Sequence, residues 1–273
     1  MVACDDLTLV HQLAEAADRI SMRYFSSGDV SAQTKADGSP VTAADRAVEQ
    51  AIRRRLVDLR PHDCVVGEEF GQQGDSARRW VVDPIDGTAN FAAGKLQWST
   101  LITVEENGEV VTGIITAPAL RRRWWATRDA GAWTSACVAG HLGPRERLAV
   151  TTIRTLSGAT AAIWPVRSGM PSQRLAMGAA FLARCAGGGP LTGWADTCQG
   201  AVLVAAGRTD VFLHLAAGPW DIAAAVPIVE EAGGRFSDLQ GKRRIGSGAA
   251  VFTNGHLHKE VLDFLKHTAH TQP

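Results

Sequence analysis

Apolar positions in the first hundred residues fall into two helical stripes and one short buried run. Over residues 6–25, Leu9, Leu13, Ala16, Ala17, Ile20 and Tyr24 recur at helical spacing, with Asp18, Arg19 and Arg23 opposite, which predicts an amphipathic scaffold helix. Residues 26–41 are rich in Ser, Gly, Asp and Pro and read as a loop or ragged strand containing Lys35, a position that a solvated charge commonly fills. A second helix is predicted from Arg46 to Leu59, with Ala47, Val48, Ala51, Ile52 and Leu56 as its buried stripe. Thr42 and Asp45 stand at capping-box spacing before it, so one reading of Asp45 is a helix-start carboxylate favoured by the macrodipole. Asp63 to Val66 reads as a short strand running into Gly67-Glu68-Glu69-Phe70-Gly71. Trp80-Val81-Val82 reads as a buried strand that Asp83-Pro84 ends, because proline removes a ladder donor and restricts the residue before it.

Beyond Ser99 the period shifts to two. Strands are predicted at Thr100–Val104, Val110–Thr116 and Arg123–Ala126, with Asn107-Gly108 as a hairpin turn and residues 130–133 closing the meander. Residues 134–150 read as loop, and Leu148 to Thr152 as a strand entering a second half. Gly187-Gly188-Gly189-Pro190 is the strongest breaker and predicts a flexible connection. A packed helix follows at Ala195–Ala206 with Asp196 near its start, then a strand at Asp210–Leu215 that includes His214. Gly218-Pro219-Trp220-Asp221 opens a helix from Ile222 to Ala232 that Gly233-Gly234 stops. Short strands at 235–238 and 249–253 and a helix from His258 to His267 complete the chain.

Composition narrows the class. With 273 residues, 45% hydrophobic and 21% charged, the chain has enough material for a sizeable core. Lys plus Arg and Asp plus Glu are 28 each, so no overall field favours nucleic acid or an anionic membrane, and any anion affinity is local. Cys4, Cys64, Cys137, Cys185 and Cys198 are odd in number and free of CxxC, which argues against a disulfide framework and a zinc site. No secretory signal or membrane-length apolar run is visible, so the expectation is a reduced, soluble, cytoplasmic protein.

The chemistry concentrates in residues 80–91. Asp83 and Asp86 stand three apart in a Gly-containing turn, where like charges repel unless a cation lies between them. Mg²⁺ suits such a pair, since it takes a few carboxylates together with waters and phosphate oxygens. Gly87 and Thr88 follow with a backbone N–H and a hydroxyl for such a phosphate, although Asp-Gly alone is also an ordinary turn. Asp45, Glu68 and Asp221 stand at other element ends, and their convergence on one cation cluster is an expectation that spacing cannot demonstrate. The chain has no GxxxxGK[ST] loop, GxSxG elbow or strand-linked GxGxxG, so phosphate-loop, α/β-hydrolase and dinucleotide-binding readings lack motif support.

Gly67-Glu68-Glu69, Asp83-Pro84-Ile85-Asp86-Gly87-Thr88-Ala89-Asn90-Phe91 and Pro219-Trp220-Asp221-Ile222-Ala223-Ala224 together resemble the signatures of the inositol monophosphatase family of Mg²⁺-dependent, Li⁺-sensitive phosphatases. The resemblance spans nearly the whole chain. It implies an α+β fold, an αβαβα layered sandwich built as one domain, with residues 1–147 carrying most metal ligands and 148–273 carrying Asp221 and the substrate-facing wall. It also implies two or three Mg²⁺ per site: one on Glu68, Asp83 and the Ile85 carbonyl, a second on Asp83, Asp86 and Asp221, and a weaker third associated with Glu68. By the same likeness Asp45 and Thr88 orient and deprotonate the attacking water, and Gly87 and Thr88 receive phosphate. Lys35 matches a basic residue on the loop closing near the metals, Glu69 an acid behind the ligands, and Asp196 and His214 substrate-facing positions. A homodimer is implied too, with Trp124 and Trp125 as candidate contributors, although a buried core is the more usual fate of such residues.

Within the family, Thr34-Lys35, Ser39 to Thr42, Ala44 to Glu49, Gly67 to Gly71, Ala117 to Leu120 and Arg122 to Ala126 resemble the actinobacterial histidinol-phosphate phosphatase type. Two positions depart, one of them Ala89, where Lys or Thr often stands in the turn that forms the pocket rim. Seven residues before the metal aspartate such enzymes usually carry a glutamate gripping the substrate's polar end, and here His214 stands, which cannot pair with an ammonium as a carboxylate does. Histidinol phosphate is the first substrate expected, and inositol, sugar or nucleoside phosphates are alternatives. A silent binding protein of the same fold would show a broken acid set, and none of the acids is missing.

Overall fold

The two helical stripes fold as α1 (Asp6–Ser27) and α2 (Ala43–Leu59), separated by a small hairpin of β1 (Ala32–Thr34) and β2 (Pro40–Thr42). The computed structural model describes residues 5–36, 38–138, 140–164, 172–185 and 199–270. The chain then runs through β3 (Cys64–Gly67), β4 (Gly71–Gln73), β5 (Arg78–Asp86), α3 (Thr88–Ala92), β6 (Ser99–Glu106) and β7 (Glu109–Ala117). Next come β8 (Arg122–Thr127), β9 (Ala132–Val138), β10 (His141–Leu142) and β11 (Glu146–Arg147). The second half adds β12 (Ala161–Trp164), α4 (Ser172–Leu182), α5 (Gln199–Ala205), β13 (Val211–His214), α6 (Pro219–Ala223), α7 (Ala225–Glu231), β14 (Arg235–Ser237), β15 (Ala250–Thr253) and α8 (His258–His270).

The strands form a nine-stranded sheet ordered β10-β9-β8-β7-β6-β5-β3-β4, with β11 on β9, and a four-stranded sheet ordered β12-β13-β15-β14. Side-chain alternation assigns the layers. In the large sheet Ile102, Val104, Ile114 and Trp125 pack with Leu9, Leu13, Val48 and Ile52 of α1 and α2. Their neighbours Leu101, Ile115 and Trp124 point the other way, into a core shared with Val202, Ile222, Val226 and Ile228 of α5, α6 and α7. Phe212 and Phe252 of the small sheet close that same core, while Val211, Leu213 and Val251 face Phe181, Val261 and Leu265 of α4 and α8. Helix, sheet, helix, sheet, helix is the expected αβαβα sandwich.

Several expectations need correction. Asp18 does not face solvent with Arg19: it is buried, accepts from Thr116 Oγ1 at 2.9 Å and pairs with Arg123 Nη2 at 2.6 Å. The meander does not close at 130–133, because β9 begins there and β10 and β11 occupy the stretch read as loop. Leu148 to Thr152 forms no strand. Residues 26–41 hold the β1–β2 hairpin, and the helix expected from Ile222 to Ala232 is two short helices meeting at Ala224. Trp124 and Trp125 are buried in separate cores, the more usual fate expected of them, and not at a dimer surface. The breaker at 187–190 lies outside the described residues, as does Asp196. Asn107 and Gly108, both at positive φ, form the expected hairpin turn. Cys64, Cys137 and Cys185 are free thiols. Among the described residues no helix is long and apolar enough to cross a membrane.

Candidate active site

The site begins with an irregularity in β5. The strand was expected to stop at Asp83-Pro84, yet its pairing with β6 resumes at Asp86, and the register moves from Asp83↔Leu101 to Asp86↔Ser99. Three steps on β5 therefore oppose two on β6, a bulge that Pro84 favours because it has no N–H for the ladder. The consequence is directional. In a regular strand residues three apart face opposite sides, whereas the extra residue lets Asp83 and Asp86 serve one side. Their carboxylates join that of Asp221 in a group whose ligand atoms all lie within 4.8 Å of one another. Asp221 arrives from far down the chain on α6, which packs against β5 and β6, and its Oδ2 accepts the Gly218 N–H at 2.5 Å.

Electrostatically this group is unbalanced. Asp83 is 1% exposed, and among the described residues neither of its carboxylate oxygens has a hydrogen-bond partner. Burial first, then Glu68, Asp86, Asp221 and Asp45, push its carboxyl well above the usual range. Asp221 is pushed up to about 8 by burial, Asp86 and Glu68, opposed by the Gly218 N–H. Such a cluster is costly unless a cation neutralises it. The donor set, oxygen only and rich in carboxylate, fits a hard divalent ion.

Other expected residues surround it. The Asp45 carboxylate, buried at the start of α2, closes the capping box by accepting Thr42 N–H at 2.8 Å and Thr42 Oγ1 at 2.5 Å on Oδ2. Its Oδ1 lies 3.1 Å from Thr88 Oγ1, so the capping acid also reaches the loop after β5. Thr88 Oγ1 is 2.9 Å from the Ile85 carbonyl as well. Burial raises the Asp45 carboxyl, opposed mainly by its bonds to Thr42. Gly87 holds φ 83°, a left-handed conformation that costs glycine little, and caps α3 with its carbonyl accepting from Asn90 and Phe91. Glu68 lies outside the tight trio. Lys35 Nζ donates to Glu68 Oε1 at 2.7 Å and to Glu69 Oε1 at 3.0 Å, so Lys35 is an ion-paired residue and not a solvated charge. Burial alone would lower the Lys35 ammonium, but those bonds prevail and hold it above its ordinary value.

His214 stands apart from the acids. Alternation places it on the Phe212 face of β13, toward the middle layer, with the two ring centroids 5.8 Å apart. Its Nδ1 has no hydrogen-bond partner among the described residues, and burial alone lowers its pKa to about 4, so the ring is neutral at neutral pH. One buried acid near the site was missed. Glu49 lies one turn after Asp45 on α2, and the signal for it was an i,i+4 pair with Arg53 on the face carrying Val48 and Ile52.

Residues 5–269 match the sequence profile of the inositol monophosphatase family. The Histidinol-phosphatase of Streptomyces coelicolor is 42% identical over 96% of this chain and 97% of its own length. That of Mycobacterium tuberculosis is 39% identical over 94% and 96%. The solved structure of the Thermotoga maritima IMPase superposes with a TM-score of 0.81 at 28% identity, covering 97% of this chain and 98% of that one. Sequence, layers and acid cluster thus lead to one assignment: the chain belongs to the inositol monophosphatase family.

Proposed function

We propose that this protein is a Mg²⁺-dependent phosphomonoesterase that hydrolyses L-histidinol phosphate to L-histidinol and phosphate by direct attack of water. The family is metal-dependent, and the observation that carries the reading here is Asp83, a buried carboxylate with no hydrogen-bond partner among the described residues, at the centre of converging acids. Asp83, Asp86 and Asp221, with Glu68 and the Ile85 carbonyl, are the groups that would hold two or three Mg²⁺. The chemistry such ions supply is polarisation of the phosphoryl group and neutralisation of the charge developing on the leaving oxygen.

The chain's own residues do the rest. Thr88 accepts the proton of the attacking water and passes it to Asp45, whose Oδ1 already lies 3.1 Å from the threonine hydroxyl. Burial makes Asp45 a better base than a solvated aspartate. Gly87 and Thr88 receive the phosphate at the start of α3, and Lys35 and Glu69 organise the charges around Glu68. Asp196 and His214 belong in this reading to the wall that meets the rest of the substrate, with 148–273 supplying that wall and Asp221. The relatives named Histidinol-phosphatase support histidinol phosphate as the substrate. His214 supports a second reading, another small phosphate ester, since a neutral imidazole does not neutralise an ammonium. A homodimer is part of the proposal, and light scattering tests it. The deciding experiment is phosphate release from histidinol, inositol, sugar and nucleoside monophosphates with and without Mg²⁺. Mg²⁺-dependent turnover greatest on histidinol phosphate is expected, and no turnover of any ester would refute the enzyme.

A further inference from the structure

Glu49 is fully buried and has a complete set of partners, all but one of them in the turn that carries Glu68 and Glu69. Its Oε2 accepts the Glu69 N–H at 2.8 Å, and its Oε1 accepts the Phe70 N–H at 3.2 Å and Arg53 Nε at 2.7 Å. The same guanidinium donates to the Gly71 carbonyl and, at 3.3 Å, to Gln73 Oε1. Backbone from residues 69–71 and the following β4 side chain thus hang on one ion pair from α2. Gly67 makes room for it: a Cβ there would lie 2.0 Å from Glu49 Oε1 and 2.3 Å from its Cδ. Asp45 stands one helical turn before Glu49 on the same buried face. A single helix face therefore carries the acid bonded to Thr88 and the acid that fixes the Glu68 turn.

We propose that Glu49, oriented by Arg53, is a positioning residue that fixes the Glu68–Glu69 turn relative to Asp83 and so sets the protein's affinity for divalent metal. The proposal rests on the metal-site reading given above. Scaffold alone is a weaker account of the ion pair. A structural pair in the middle of α2 could bond any backbone, whereas this one receives the N–H of the residue next to Glu68 and occupies space left open by a glycine. Groups that orient metal ligands from behind typically alter metal affinity 10–100-fold when removed.

The test uses the full-length protein stripped of metal and titrated with MgCl₂ by calorimetry, alongside its melting curve without metal and Mg²⁺ activation of phosphate release. Glu49→Gln keeps the shape but sets an amide donor against N–H donors, and it is expected to weaken Mg²⁺ binding at least about tenfold. Saturating Mg²⁺ should restore kcat to within a few-fold, a split that simple loss of fold would not give. Gly67→Ala should produce the same weakening by displacing the Glu49 carboxylate, and in a Glu49→Ala background it should add nothing, since the clash is gone. Mg²⁺ affinity within about twofold of the parent in both folded single variants overturns the proposal, as does full additivity of the two changes. A parent that binds no Mg²⁺ overturns the metal-site reading along with it, and so is distinguishable from failure of the positioning role alone.

Discussion

Asp83, inside β5, and Asp210, just before β13, are both aspartates 1–3% exposed, and they are held in opposite ways. Asp210 accepts from Thr160 N–H at 2.7 Å, Thr160 Oγ1 at 3.0 Å and Thr151 Oγ1, with Asn254 Nδ2 at 3.5 Å. Asp83 accepts from no group among the described residues and faces Glu68, Asp86, Asp221 and Asp45. A buried carboxylate that the chain satisfies is architecture; one left surrounded by others is costly without a cation and is where the proposed metal would sit. Asp18, matched by Arg123 and Thr116, belongs to the first kind.

The largest effect that would sharpen this contrast comes from Asp83→Asn. Phosphate release should fall at least about 10³-fold, while the metal-free protein should melt higher at pH 8 because one crowded charge is gone. Asp45→Asn should come next, lowering kcat about 10²-fold or more with Mg²⁺ binding nearly intact. Asp210→Asn should do the reverse of Asp83→Asn: stability falls by about 2 kcal/mol in denaturant unfolding, and the folded variant keeps its kcat. Loss of turnover by a folded Asp210→Asn would break the contrast.

The contrast also explains what was legible in advance. Asp83 and Asp86 could be read because they are neighbours in sequence and share a turn, and Asp221 because Gly218-Pro219 marks a helix start. Their meeting rests on the bulge at Pro84, which puts both β5 acids on one side. Asp18 was misread because its periodicity places it beside Arg19, while its partner Arg123 lies 105 residues away. Glu49 was missed for a related reason: charged residues on a helix count as solvent-facing until the backbone they bind is known. The strands β9 to β11 were missed because their small and polar residues lack an apolar alternation.

A smaller effect concerns pH. Asp221, raised from 3.8 to about 8 without metal, contributes stability that is present below pH 4 and lost as pH rises toward 8. His11, His214 and His258 act oppositely, since burial lowers each to about 4, and their contribution is present above pH 6.5 and lost as pH falls toward 4. Between pH 6.5 and 8 only the acid effect remains. Metal-free melting temperature should therefore decline across that window, and the gain on adding Mg²⁺ should be larger at pH 8 than at pH 6.5.

The most direct measurement is the melting temperature of metal-stripped parent and Asp83→Asn protein at pH 8, each with and without saturating MgCl₂. Neutralisation of converging acids by a bound divalent ion predicts a clear rise for the parent and almost none for the variant. Equal shifts in both proteins, or none in the parent, would contradict it.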